Sequence, residues 1–120
     1  MTYSPLARSL ARRRLLLLTT AALAFAGPTP ASAEPMRVVS LGGSITETVF
    51  ALGLGDRLVA VDSTSQYPAE ARSLPNVGYM RALSAEPILA LAPDLILADA
   101  DAGPAPVLAQ IRDAGVPIAV

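Results

Sequence analysis

The chain has 120 residues, nine of them arginine and ten acidic, with a net charge of −1. It contains no lysine, histidine or cysteine, which excludes a disulfide framework, a thiolate metal centre, a lipid-bearing cysteine and a histidine general base within this sequence. From Glu34 onward five arginines face ten carboxylates, a net of −5, and an acidic chain without a basic run is poorly suited to nucleic acid.

Residues 1–33 read as a cleaved signal peptide. Arg8 and Arg12 to Arg14 form a basic start, Leu15 to Ala26 an apolar run, and Ala31-Ser32-Ala33 a small-residue cleavage site. The apolar run is about a dozen residues, short of the roughly 20 that span a bilayer as a helix. Arg12-Arg13-Arg14-Leu15-Leu16 loosely resembles a twin-arginine signal as well. Export to a periplasm is expected, as a product that is neither membrane-anchored nor oligomeric.

Residues 34–120 then alternate strands and helices. Arg37 to Leu41 is a β-branched run closed by Gly42-Gly43, and predicts a buried strand. Ser44 and Glu47 have the spacing of a capping box for a helix whose apolar face is Ile45, Val49, Phe50 and Leu52. Gly53 and Gly55 stop it, and Leu58 to Val61 is a second strand. A polar loop from Asp62 to Tyr67 and a short helical stretch from Pro68 to Ser73 follow. Ser84 is placed to cap a helix from Ala85 to Leu91, with Glu86 in its first turn. Asp94 to Ala98 predicts a third strand, Pro104 to Ala114 a helix packed through Val107, Leu108 and Ile111, and Pro117 to Val120 a fourth strand. The fold class is α/β, a parallel sheet with flanking helices. A parallel strand at the end normally needs a further covering element, so the chain is expected to be a shortened part of a longer protein.

Ligands of such sheets bind beyond the carboxyl ends of the strands. Gly42 to Ser44 lacks both phosphate-binding glycine patterns and the last glycine of a nucleophile elbow, so Ser44 is better read as a cap. Asp62, Asp99 and Asp101 could form a carboxylate cluster, as in a small exported enzyme, but each also stands where aspartate starts a turn. Tyr79 and Arg81 lie in a loop rich in turn residues. Their spacing allows a tyrosine packed on the core beside a solvated arginine. The pair could also supply a phenolate ligand for ferric iron beside a carboxylate-binding guanidinium, though spacing alone favours the packed ring.

The runs Val38-Val39-Ser40-Leu41-Gly42-Gly43-Ser44-Ile45-Thr46-Glu47 and Leu52-Gly53-Leu54-Gly55-Asp56-Arg57-Leu58-Val59-Ala60-Val61-Asp62-Ser63-Thr64-Ser65 closely resemble the start of haem (hemin) ABC-transporter periplasmic binding proteins. Leu74-Pro75-Asn76-Val77-Gly78-Tyr79-Met80-Arg81, Leu83-Ser84-Ala85-Glu86 and Leu91-Ala92-Pro93-Asp94-Leu95-Ile96-Leu97 continue the likeness. The broader group includes vitamin B12 and siderophore binders. The resemblance implies the N-terminal lobe of a two-lobe, helix-linked binding protein rather than an enzyme. It implies Tyr79 as axial ligand to haem iron, Arg81 as a propionate contact or a support for the tyrosine, and Glu86 as the docking residue for an ABC permease at the inner membrane. Tyr67 is expected to be no more than a pocket wall. A lone lobe covers one side of a porphyrin and is expected to hold haem weakly.

Overall fold

The computed structural model describes Gly27 and residues 36–120. The signal peptide expected over residues 1–33 lies, apart from Gly27, outside the described residues. Four parallel strands form one sheet: β1 (Val38–Leu41), β2 (Leu58–Val61), β3 (Leu95–Ala98) and β4 (Ile118–Ala119). Three α-helices connect them: α1 (Gly43–Ala51), α2 (Ala85–Leu89) and α3 (Ala105–Asp113). Two short 3-10 turns, Gly55–Arg57 and Ala69–Ser73, complete the elements.

The strand order is β2-β1-β3-β4. Val39 lies opposite both Ala60 and Ile96, so β1 is paired on both sides. Alternate residues of each strand point to opposite faces of a sheet, and two apolar clusters follow. Val39, Leu41, Ala60, Ile96 and Ala98 pack with Ile88 of α2 and with Leu108 and Ile111 of α3. Val38, Leu58 and Val61 pack with Val49 of α1. Burying a side chain such as Ile88, Ile96 or Ile111 completely contributes about 1.5–3 kcal/mol, so the first cluster dominates the fold.

Among the described residues the sequence places all four strands and all three helices; β1, β3 and β4 are each one or two residues shorter than expected, and the larger differences lie in the helices. The α1 helix starts at Gly43 with Gly42 as its cap residue, and no side chain caps it from within the helix. Ser44 and Glu47 are both exposed, so the expected capping box is absent. The first N–H groups are met from across the sheet edge instead. Gly42 donates to Asp62 Oδ1 at 2.9 Å and Gly43 to Thr64 Oγ1 at 2.9 Å. The buried residues of α1 are Thr46 and Val49, whereas Leu52 is 68% exposed and takes no part in the apolar face assigned to it. Ser84 does stand at the cap position of α2, with extended backbone, but its hydroxyl makes no capping bond. That helix is also shorter than expected, ending at Leu89. Val107 is half-buried, while Leu108 and Ile111 are buried as predicted.

Candidate binding edge around Tyr79

The strand order places β2 on one side of β1, and β3 with β4 on the other. The chain thus reverses direction across the sheet between β1 and β3. In parallel α/β sheets the carboxyl ends of strands flanking such a reversal leave a crevice for ligands. Here that position is framed by Gly42 and Gly43 after β1 and by Asp99 to Asp101 after β3.

The segment carrying Tyr79 runs across this edge and is fastened on both sides. Before the tyrosine, Val61 donates to Pro75 O at 2.9 Å, Val77 to Val61 O at 3.0 Å and Ser63 to Gly78 O at 2.9 Å. Gly78 also donates its own N–H to Asn76 Oδ1 at 2.8 Å and has φ of 99°, a conformation that favours glycine. After the tyrosine, Ala82 donates to Tyr79 O at 2.9 Å, Gly103 to Met80 O at 2.8 Å and Leu83 to Gly103 O at 3.0 Å. The loop therefore bridges the turns after β2 and β3. Backbone bonds on both flanks fix where Tyr79 begins and ends.

Tyr79 itself is 46% exposed and belongs to neither apolar cluster. It is not the core-packed ring that its spacing allowed. Met80 beside it does pack against the larger cluster, so the backbone is anchored while the phenol stands outward. Arg81 is paired with Asp101, from Nη2 to Oδ2, with both side chains more than half exposed. Asp99 Oδ1 accepts the N–H of Asp101 at 2.9 Å, shaping the turn that presents this carboxylate. Glu86 is exposed in the first turn of α2.

The aspartates divide as their turn chemistry suggests. Asp62 is completely buried and accepts hydrogen bonds from Gly42, Thr64 and Ser65. Asp99 shapes a turn and Asp101 holds Arg81. Among the described residues, no group of three or more aspartate or glutamate side chains is placed to hold a metal ion. Tyr67 is 69% exposed. It lines a cavity of about 730 Å³ on the flank of α1, together with Glu47, Phe50, Pro68 and Glu70. Neither Tyr79 nor Arg81 lines that cavity.

One feature of the edge escapes a reading of local patterns. Ser40, Thr46 and Ser65 are buried and linked to Asp62 through their hydroxyls. Two signals for it are present in the sequence: a serine inside an otherwise apolar strand, and Thr46 three residues before the buried Val49.

These features define a parallel α/β lobe whose strand order reverses between β1 and β3. The chain belongs to the periplasmic binding protein family, whose model matches residues 38–118. It is 43% identical over 90 residues to a vitamin B12-binding protein of Pectobacterium carotovorum, an alignment covering 75% of this chain and 33% of that protein. Among solved structures, the apo periplasmic heme-binding protein RhuT of Roseiflexus sp. RS-1 is 57% identical with a TM-score of 0.67, covering 69% of this chain and 32% of that one. The periplasmic vitamin B12-binding protein BtuF of Vibrio cholerae is 42% identical with a TM-score of 0.64, covering 69% and 32%. The chain thus spans about a third of the length of these relatives.

Proposed function

We propose that this lobe binds ferric haem as part of the substrate-binding component of an ABC importer, with Tyr79 as axial ligand to the iron. The observation that carries the reading is the placement of Tyr79: a half-exposed phenol on a loop fastened across the reversal point of the sheet. One oxygen donor suits a metal that arrives already chelated by a porphyrin, because only an axial position remains to be filled. A free phenol titrates near 10, and coordination to Fe³⁺ provides the positive charge that favours the phenolate at neutral pH. Likeness to a heme-binding protein at 57% identity supports the same ligand.

Arg81 is the candidate propionate contact. Its pairing to Asp101 uses one guanidinium nitrogen, and a guanidinium carries five N–H donors. Glu86, exposed beside the loop in sequence, is the candidate contact for arginines of the permease. Residues 1–33 would direct the chain to the periplasm, where haem is handed to that permease as cargo.

Titration of the chain with ferric haem, followed by absorption spectroscopy, tests the ligand. A tyrosinate-to-iron charge-transfer band should appear with the native chain, persist in Tyr67→Phe and vanish in Tyr79→Phe. An unchanged spectrum in Tyr79→Phe would refute the assignment.

A corrinoid is the second reading, motivated by the 43% and 42% identities to vitamin B12-binding proteins. Competition separates the two. Cyanocobalamin should fail to displace haem at equal concentration; displacement with retention of cobalamin would favour the corrinoid.

A further inference from the structure

We infer that Asp62 is the positioning residue of the tyrosine loop, holding Tyr79 in register with the Gly42–Gly43 turn through one buried carboxylate. Asp62 is completely buried directly after β2, yet among the described residues it makes no ion pair. Its oxygens instead collect donors from three directions. Oδ1 accepts the Gly42 N–H at 2.9 Å, the Ser65 hydroxyl at 2.9 Å and the Thr64 hydroxyl at 3.0 Å. Oδ2 accepts the Thr64 N–H at 3.2 Å and the same hydroxyl at 2.8 Å.

A carboxylate only accepts, and this fixes the direction of the buried hydroxyl chain behind it. Ser65 donates to Asp62, so it accepts from Thr46 at 2.6 Å, and Thr46 in turn accepts from Ser40 at 2.8 Å. Strand β1, helix α1 and the turn after β2 are thereby joined in one satisfied network. No buried side-chain polar atom among the described residues lacks a partner.

The network reaches the tyrosine through one backbone bond. Ser63 lies inside the turn wrapped around the carboxylate, and its N–H donates to Gly78 O at 2.9 Å. Gly78 immediately precedes Tyr79. On the other side, Gly42 is fixed by the same carboxylate, and a Cβ placed there would lie 3.6 Å from the Met80 sulfur. Asp62 therefore sets the start of the tyrosine loop and the turn that the loop faces. Asparagine at this position keeps one acceptor and adds two donors, one of which must point at Gly42, Thr64 or Ser65.

The inference rests on the haem reading for its functional consequence, but its structural half is measured separately. Amide hydrogen exchange on the whole chain, at a temperature where circular dichroism shows each variant folded, reports the Ser63 amide. Asp62→Asn should raise exchange at Ser63 at least tenfold, lower haem affinity at least tenfold and weaken the tyrosinate band. Ile118→Ala, in the short edge strand β4 on the far side of β3 from β2, should leave the Ser63 exchange ratio and the band unchanged. Ser63 protection and haem affinity both within twofold of the native chain in Asp62→Asn would overturn the inference. Should that variant not fold, Ser65→Ala decides. It removes one buried donor from the carboxylate and should raise Ser63 exchange at least threefold; no change would overturn the inference. If Tyr79→Phe binds haem as the native chain does, the haem reading fails, and the exchange result alone then judges the role of Asp62 in holding the loop.

Discussion

Gly42 and Asp99 meet so closely that a Cβ on the glycine would lie 2.9 Å from the Cβ of the aspartate. Gly42 also has φ of 121°, a region that other residues enter only with strain. The turns after β1 and β3 can therefore close on each other only while this position lacks a side chain. Gly42→Ala combines backbone strain of about 1–3 kcal/mol with a forced shift of Asp99. Urea unfolding should show at least that loss of stability. Haem titration should show weaker binding as well, because the added methyl would also lie 3.6 Å from the sulfur of Met80, the residue beside Tyr79. Native stability in Gly42→Ala would mean that the two turns are not held at this separation.

The ion pair between Arg81 and Asp101 has the opposite character. Both side chains are more than half exposed, and exposed pairs contribute about 0–1 kcal/mol and are screened by salt. Asp101→Asn should change stability by no more than about 0.5 kcal/mol. Its effect on ligand binding should be favourable or neutral, since it releases the guanidinium for a propionate. Arg81→Ala should leave stability similarly untouched but weaken haem binding, increasingly so at low ionic strength. Isothermal titration at two salt concentrations measures both effects. Equal affinities for native and Arg81→Ala at low salt would remove Arg81 from the site.

Most of this fold is written in local patterns. The β-branched runs ending at Leu41, Val61 and Ala98 and the glycines that follow α1 are short-range signals, and their elements form as expected. Tyr79 could be singled out because its loop is crowded with turn residues, although spacing alone favoured a packed ring. The misread parts are those decided across the sheet. Ser44 has the chemistry of a cap, but the first N–H groups of α1 are reached by Asp62 and Thr64, some twenty residues away in sequence. The expected α1 face included Leu52, while the helix buries Thr46, because a hydroxyl chain to Asp62 makes a polar residue acceptable there. Only tertiary partners decide such choices.

The docking role proposed for Glu86 can be tested apart from ligand binding. It is exposed in the first turn of a five-residue helix, and surface substitutions of this kind alter stability by less than about 0.5 kcal/mol. Glu86→Gln should therefore leave unfolding and haem titration unchanged. With the permease reconstituted in proteoliposomes, it should reduce the ATPase stimulation that the haem-loaded protein produces. Undiminished stimulation in Glu86→Gln would place the docking contact elsewhere on the lobe.

Ala92 offers a gain in stability at no cost to the site. It follows α2 with φ of 48°, the left-handed conformation that ends many helices and is usually given to glycine. An L-residue there costs about 1–2 kcal/mol relative to right-handed backbone, partly offset by the greater freedom glycine has when unfolded. The turn survives with alanine because the carbonyl before it is well held: the Arg37 guanidinium donates to Leu91 O at 2.7 and 3.2 Å. Ala92→Gly should raise stability by up to about 1 kcal/mol, read as a higher urea midpoint with an unchanged slope. Ala92 precedes the amino end of β3, whereas Tyr79 lies beyond the carboxyl ends of the strands. Haem affinity should therefore be unaltered in Ala92→Gly. A coupled change in affinity would show that the two ends of the sheet communicate, which rigid packing around Ile88 and Ile96 argues against.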